Sequence, residues 1–442
     1  MRLALIAALL STPSLAQEDL KKKDRHVIVI SIDGLRPEFY LGDGFEAPTI
    51  RTMAREGTFA KAVLPAYPSV TYAGHATIVT GVRPARHGIV SNTKFGENGG
   101  TSEWFWETKD LQAQPIWAAA RAQGRKVAIT SWPTTVGADV DWLVPQRWGV
   151  FKGEKTWELL LKHSTPGLLM ELGLALGIPS AEQFQKKETT DEFIAAGAAY
   201  VFAKYKPHLL LVHLIQVDDA EHNDGRDSDA VRKALKRTDQ NVAKIRQSVE
   251  KAGLGDRTVL LLVGDHGFED VTESVAPNVL LSEAGLIDLD GSKVKAWRAL
   301  GHAHGGSMAI YAKDADSARR ASEVLERGAK PADKRLYAIV DRRRLDELGY
   351  NKDAAFALEA EEGISFVGTA NGKLAGHKPW AKGQHGYLPG RPTMATGFVA
   401  SGPGIRRGTV EKMELVDIAP TVARLLGFEM KDVEGSPLPV ME

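Results

Sequence analysis

Three separate apolar runs in this chain each end at acidic residues, and that repeated arrangement limits the fold more than any other feature. Residues 26–32 (HVIVISI) run into Asp33. Residues 209–215 (LLLVHLI) run into Asp218 and then His222, and residues 259–263 (VLLLV) run into Asp265 and His266. A run that is apolar at odd and even positions alike reads as a strand buried on both faces, the habit of central parallel strands. Open α/β sheets bind their ligands just beyond the carboxyl ends of such strands. The runs are therefore predicted to deliver three carboxylates and two imidazoles to one sheet edge. Carboxylate oxygen mixed with imidazole nitrogen suits Zn2+ or Mn2+, and the number of groups points to two ions.

The chain of 442 residues is long enough for one large α/β domain or two smaller ones. Its formal net charge of +0 gives no global attraction for a nucleic-acid polymer or an anionic membrane. A small anionic substrate is still accommodated, because a metal pair brings its own positive charge. With no cysteine, neither a disulfide nor a lipidated N-terminal cysteine is available. Arg2, the apolar residues 3–10 and Ser14-Leu15-Ala16 read as a secretory signal with cleavage near Ala16. Its apolar core is too short to span a bilayer, and no later stretch approaches ~20 apolar residues. An exported protein is expected, periplasmic or secreted, with no membrane span and no obligate protein partner evident.

Helical patterns at 47–56, 74–80, 115–123, 191–204 and 228–252 alternate with the apolar runs and with a strand at 126–131. That alternation predicts an α/β fold with a doubly wound, mostly parallel sheet flanked by helices. Residues 145–190 carry Trp, Pro and Gly with weak periodicity and are expected to lie over the sheet as part of a substrate wall. Residues 290–380 are expected to form a small α+β cap insertion, with strands at 307–312 and 335–340 and a helix at 315–327. The main fold then resumes at 383–387, 396–400 and 417–426. The expected organisation is a signal peptide at 1–16, a catalytic domain at 24–428 and a C-terminal tail at 429–442.

Asp218 and His222 are four apart, a spacing that puts both on one face of a helix. Adjacent Asp265 and His266 share a site only from an extended or turning backbone, which a strand end supplies. Thr71, in Ser69-Val70-Thr71-Tyr72 ahead of a small-residue helix, reads either as an N-cap or as a nucleophile. At a helix N-terminus, backbone amides and the helix dipole favour phosphate oxygens. A threonine hydroxyl needs a base or a metal to become nucleophilic.

Residues 68–92, PSVTYAGHATIVTGVRPARHGIVSN, resemble the nucleophile region of the nucleotide pyrophosphatase/phosphodiesterase (type I phosphodiesterase) family of the alkaline phosphatase superfamily. Thr71, Tyr72, Thr80-Gly81, Pro84, His87-Gly88-Ile89 and Asn92 stand at matching spacing. Asp33-Gly34, Trp132-Pro133, Asp218 with His222, Asp265-His266-Gly267 and Gly383-Gln384-His385-Gly386-Tyr387 follow the family order. The resemblance covers roughly residues 26–270 and 383–428 and implies an alkaline phosphatase-like fold. It implies one zinc ion on Asp33, Thr71, Asp265 and His266, and another on Asp218, His222 and His385. It also implies Thr71 as nucleophile, Asn92 as donor to a phosphate oxygen, and Tyr72 and Trp132 at the substrate. His385 enters only through the resemblance. Departures cluster near the leaving-group pocket: Tyr72-Ala73-Gly74 in place of Phe-Pro-Asn, Trp132-Pro133-Thr134 in place of Trp-Pro-Gly, and Gln216-Val217-Asp218 in place of Glu-Pro-Asp.

The implied reaction is hydrolysis of a small-molecule phosphodiester or pyrophosphate through a phospho-threonine, with a helix N-terminal amide assisting Asn92. A phosphomonoesterase using the same threonine is the nearest alternative, with Lys126 and Arg147 as available cations. A non-catalytic, metal-stabilised binding protein is the alternative from another class. His302 and His304 in GHAHGG are expected to be solvent-exposed loop residues.

Overall fold

The computed structural model describes residues 24–97, 99–177, 187–331 and 334–441; the expected signal segment lies outside them. All three apolar runs are central strands. The sheet has eight strands, in the order Gly408–Val410, Thr58–Ala60, Phe398–Ser401, Thr258–Val263, His26–Ile32, Leu209–Leu214, Val127–Thr130, Trp142–Val144. From Thr258–Val263 to Trp142–Val144 the pairing is parallel. Phe398–Ser401 runs antiparallel to both of its neighbours.

Alternation along the strands divides the core between the two faces. Ile28, Ile30, Leu210, Val212, Leu260 and Leu262 share one apolar cluster, while Val27, Val29, Leu209, Leu211, Val259 and Leu261 share the other. Helices Pro48–Glu56, Lys187–Tyr205 and Asp229–Lys251 cover the first face through Ile50, Phe202 and Leu235. Helices Thr71–Thr80, Ile116–Ala122 and Ile418–Leu425 cover the second through Ile78, Trp117 and Val422. Burial on both faces is what removed any polar alternation from the strand sequences.

The expected substrate wall at 145–190 is corrected. Its helices Thr156–His163 and Leu168–Leu176 send Leu160, Leu168, Leu169 and Leu172 into the first core cluster, so this segment flanks the sheet. Residues 429–441 pack back as well, with Leu438 and Val440 buried in the second cluster. A separate antiparallel sheet has the order Ala299–Ala303, Ser307–Ala312, Phe356–Ala360, Tyr337–Val340. Met308, Ile310, Leu325 and Leu358 close its own core, which also takes in Val271 and Val275 from ahead of residue 290.

The loop after His26–Ile32 is locked to helix Gln216–Asp224 by a buried cation. Arg36, fully buried, sets Nε 2.8 Å from Glu221 Oε1, itself fully buried. Its Nη1 and Nη2 donate to Asp227 Oδ1 at 3.1 Å each. Gly34, at φ +71°, is what admits the approach, since a Cβ there would lie 2.4 Å from Glu221 Oε2. Removing one partner of a buried pair strands the other. Arg36→Met is expected to destabilise the protein by about 3–5 kcal/mol, read by denaturant unfolding, and adding Glu221→Gln should recover much of that loss.

Candidate active site

Parallel register brings the carboxylates together. Ser31 pairs with both His213 and Val263, and Ile32 pairs with Leu214, so the three chains leave the sheet at one level. Asp33 is held at that edge by its own amide, which donates to the Leu214 carbonyl at 2.9 Å. Asp265 is fixed by the Gly34 amide, 3.2 Å from Oδ1. Asp218 and His222 lie on helix Gln216–Asp224 with Oδ1 and Nε2 3.4 Å apart, as their spacing predicts.

Thr71 is the first residue of helix Thr71–Thr80, whose cap is the extended Val70. The N-cap reading of Thr71 is therefore set aside, and its hydroxyl lies 3.4 Å from His266 Nε2. Gly74 lets this helix close on the site, because a Cβ there would come within 3.0 Å of Asp265 Cβ. The Tyr72 amide donates to Asn92 Oδ1 at 2.9 Å. That bond orients the Asn92 side chain with Nδ2 as its remaining donor.

Two overlapping groups of ligand atoms result, Asp218 with His222 and His385, and Asp33 with Asp218 and His266, the atoms of each lying within 4.8 Å of one another. Asp265 Oδ2 stands 3.2 Å from His266 Nε2. His222 Nδ1 donates to the Gly383 carbonyl at 2.9 Å, and His385 Nδ1 donates to the Ser69 carbonyl at 3.0 Å. An imidazole that spends its Nδ1 proton this way presents a bare Nε2, the form that binds metal.

The electrostatics agree. Burial pushes the Asp33 carboxyl well above its usual range, and the charges of Asp265 and Asp218 push it further. Asp265 rises to about 7, from burial and then from Asp218. Burial, then neighbouring imidazoles, holds His266 and His385 well below the usual histidine range. Asp33 Oδ1 and Asp265 Oδ2 are buried without a hydrogen bond. Crowded carboxylates, neutral imidazoles and bare acceptor atoms fit divalent cations.

Sequence reasoning missed the histidines behind the ligands. His213, inside the Leu209–Leu214 strand, sets Nε2 3.0 Å from Asp33 Oδ2. His75 donates from Nδ1 to the Thr71 carbonyl at 2.8 Å and accepts from Ser31 Oγ at 2.8 Å. Burial lowers His75 to about 3, so it stays neutral. A lone polar residue inside an otherwise apolar strand or helix was the available signal.

A cavity of about 540 Å³ opens over Thr71, Asn92, Asp218, His222 and His385, walled by Trp104, Phe366, Trp380 and His304. Among the described residues no lysine or arginine lines it. The expected substrate contacts of Tyr72 and Trp132 are corrected, since both are fully buried. Tyr72 backs onto Trp104 and Trp106, and Trp132 packs edge-on against His75. His302 and His304 are corrected too: His304 is 7% exposed and His302 only partly so.

Residues 27–388 match the family described as type I phosphodiesterase / nucleotide pyrophosphatase. Ectonucleotide pyrophosphatase/phosphodiesterase family member 1 of Mus musculus is 27% identical over 248 residues, 55% of this chain and 24% of that protein. The chain thus spans about a quarter of that relative's length. Family member 7 of Homo sapiens is 22% identical over 456 residues, covering 97% of this chain and 86% of that one. Human ectonucleotide pyrophosphatase/phosphodiesterase 5 superposes with TM-score 0.67 at 20% identity, covering 93% of this chain and 97% of its own. An inactive murine form of the same protein, solved in complex with AMP, gives 0.66 at 19% identity, with the same shares covered.

Dialysis against a chelator is expected to lower the thermal midpoint, and Zn2+ or Mn2+ to restore it. An ion at a hundredfold excess over its Kd stabilises by about 2.7 kcal/mol. A midpoint indifferent to both treatments would contradict a cation site.

Proposed function

The chain belongs to the type I phosphodiesterase / nucleotide pyrophosphatase family, and from that membership we propose that it hydrolyses small phosphodiesters or pyrophosphates through a covalent phospho-threonine at Thr71. One observation carries the proposal: a helix-terminal hydroxyl at Thr71 faces His266 beside two groups of carboxylate and imidazole ligands, within a cavity lined by no lysine or arginine among the described residues.

Asp33, Asp265, His266 and Thr71 would hold one divalent ion, and Asp218, His222 and His385 a second, with zinc the ion the family resemblance implies. Bound there, such ions lower the pKa of the threonine hydroxyl and offset charge on the phosphate and the leaving oxygen. Thr71 Oγ1 loses its proton to solvent and bonds to phosphorus, while the bond from phosphorus to the leaving oxygen breaks in line. Asn92 Nδ2 donates to a non-bridging oxygen as charge builds on it. Water then attacks phosphorus, the bond to Thr71 Oγ1 breaks, and the hydroxyl is restored.

The substrate carries its organic group against Trp104 and Trp380. Trp380 is 69% exposed and sits over His222 with ring centroids 5.0 Å apart. A monoester dianion would need further positive charge from the protein, and the two cations considered for that role lie elsewhere. Arg147 pairs with Glu154 at 2.8 Å and covers Trp106, and Lys126 lies over Trp142. No helix among the described residues is long and apolar enough to cross a membrane. Residues 1–16 support export, to a periplasm or to the medium.

The test is paired hydrolysis of a nitrophenyl nucleotide diester and nitrophenyl phosphate by metal-loaded protein. Diester turnover should dominate and vanish in Thr71→Ala; preference for the monoester would refute the reading. Trp380→Ala should raise KM for the diester several-fold with kcat little changed, the scale of a lost aromatic contact.

A further inference from the structure

The GHAHGG histidines stand on the second sheet, yet they reach the catalytic segment of the first. His302 lies on strand Ala299–Ala303 and His304 follows one residue beyond it, a spacing of two that puts both on one side of an extended chain. Their rings stand 4.6 Å apart. His304 Nδ1 is hydrogen-bonded to Ser91 Oγ at 3.0 Å, and its Nε2 lies 3.4 Å from the Tyr350 hydroxyl. His302 Nε2 is hydrogen-bonded to Thr93 Oγ1 at 3.3 Å. The residue between these two anchors is Asn92.

We propose that His302 and His304 are positioning residues, which clamp Ser91 and Thr93 and so hold the Asn92 amide at the angle the phosphate oxygen requires. The inference rests on the role given to Asn92 above. The rest of the segment is fixed in the same sense: the Thr93 amide donates to Ser91 Oγ at 3.4 Å, and the Phe105 amide donates to the Asn92 carbonyl at 3.2 Å. Asn92 Oδ1 is held by the Tyr72 amide, which leaves Nδ2 as the side chain's remaining donor at the cavity. Both His304 nitrogens are occupied, so it acts on the substrate through Ser91 although its ring forms part of the cavity wall. Burial lowers His302 to about 4 and His304 well below the usual range. Two imidazoles this close therefore stay neutral at ordinary pH and do not repel. A donor displaced by a fraction of an ångström loses much of its effect on a transition state.

The experiment is a double-mutant cycle on diester hydrolysis by the full, metal-loaded chain, with thermal midpoint and bound metal measured for each variant. Asn92→Ala should lower kcat by ~10²–10³-fold. His304→Ala should lower kcat by ~10- to ~100-fold with KM nearly constant, and should cost nothing further in the Asn92→Ala background. His304→Asn, whose amide reaches the Nδ1 position, should restore most of the rate. Ser91→Ala removes the same bond with a smaller change and should match His304→Ala, which covers the case of a His304 variant that does not fold. Losses that multiply in the double mutant, or a rise in KM alone, would overturn the clamp. An Asn92→Ala enzyme with normal kcat would instead overturn the role of Asn92, and the clamp with it.

Discussion

Buried like charge is the condition around which this site is arranged. Asp33 and Asp265 are both buried at the end of the sheet, and each is raised by its own burial and by nearby carboxylates. Two unit charges ~4 Å apart repel by about 4 kcal/mol at the effective dielectric typical of proteins. The ion pairs drawn from these two aspartates run to His213, His266 and His75. Burial keeps His266 and His75 from charging, so those two do not neutralise the acids. A divalent cation held among these ligands would, and the surrounding groups fit one. The Gly383 and Ser69 carbonyls fix the His222 and His385 rings, and His213 fixes Asp33. Gly74 and Gly34 let the surrounding backbone close in without a side chain in the way.

The parallel centre of the fold was legible because burial on both faces leaves a mark that composition alone does not. Residues 26–32, 209–215 and 259–263 have no polar face, and only a central strand tolerates that. The metal-ligand candidates followed from the register of those strands, except His385. It follows a two-residue strand, Gly383–Gln384, with no local pattern to betray it. The histidines behind the ligands were hidden for another reason. His75 and His213 sit at positions that look like core, and only the folded neighbours reveal that their hydrogen bonds end on Ser31, Thr71 and Asp33.

Tyr72 and Trp132 show the converse limit. Motif spacing places them near the substrate, but both are fully buried behind the cavity lining. Tyr72 is covered by Trp104 and Trp106, which Trp148 buttresses in turn. The exposed aromatic surface passes to Trp104 itself and to Trp380, a residue with no neighbouring signal in the sequence. The described part of region 145–190 backs the site through Gln146, 3.1 Å from His213 Nδ1, and through Trp148, while its helices complete the sheet core.

The pocket's selectivity is then a matter of what the second sheet and its flanking loops supply. Ala303, His304, Gly305, Phe366 and Gly368 line the cavity together with Thr71, and none of the five is a lysine or arginine. Walls that include aromatic side chains and Asp218, and among the described residues no lysine or arginine, suit the proposed diester, a phosphate that bears one formal charge and two organic substituents. The same wall delivers the His304 ring beside Ser91, so in the proposed reading the segment that shapes the pocket also steadies Asn92.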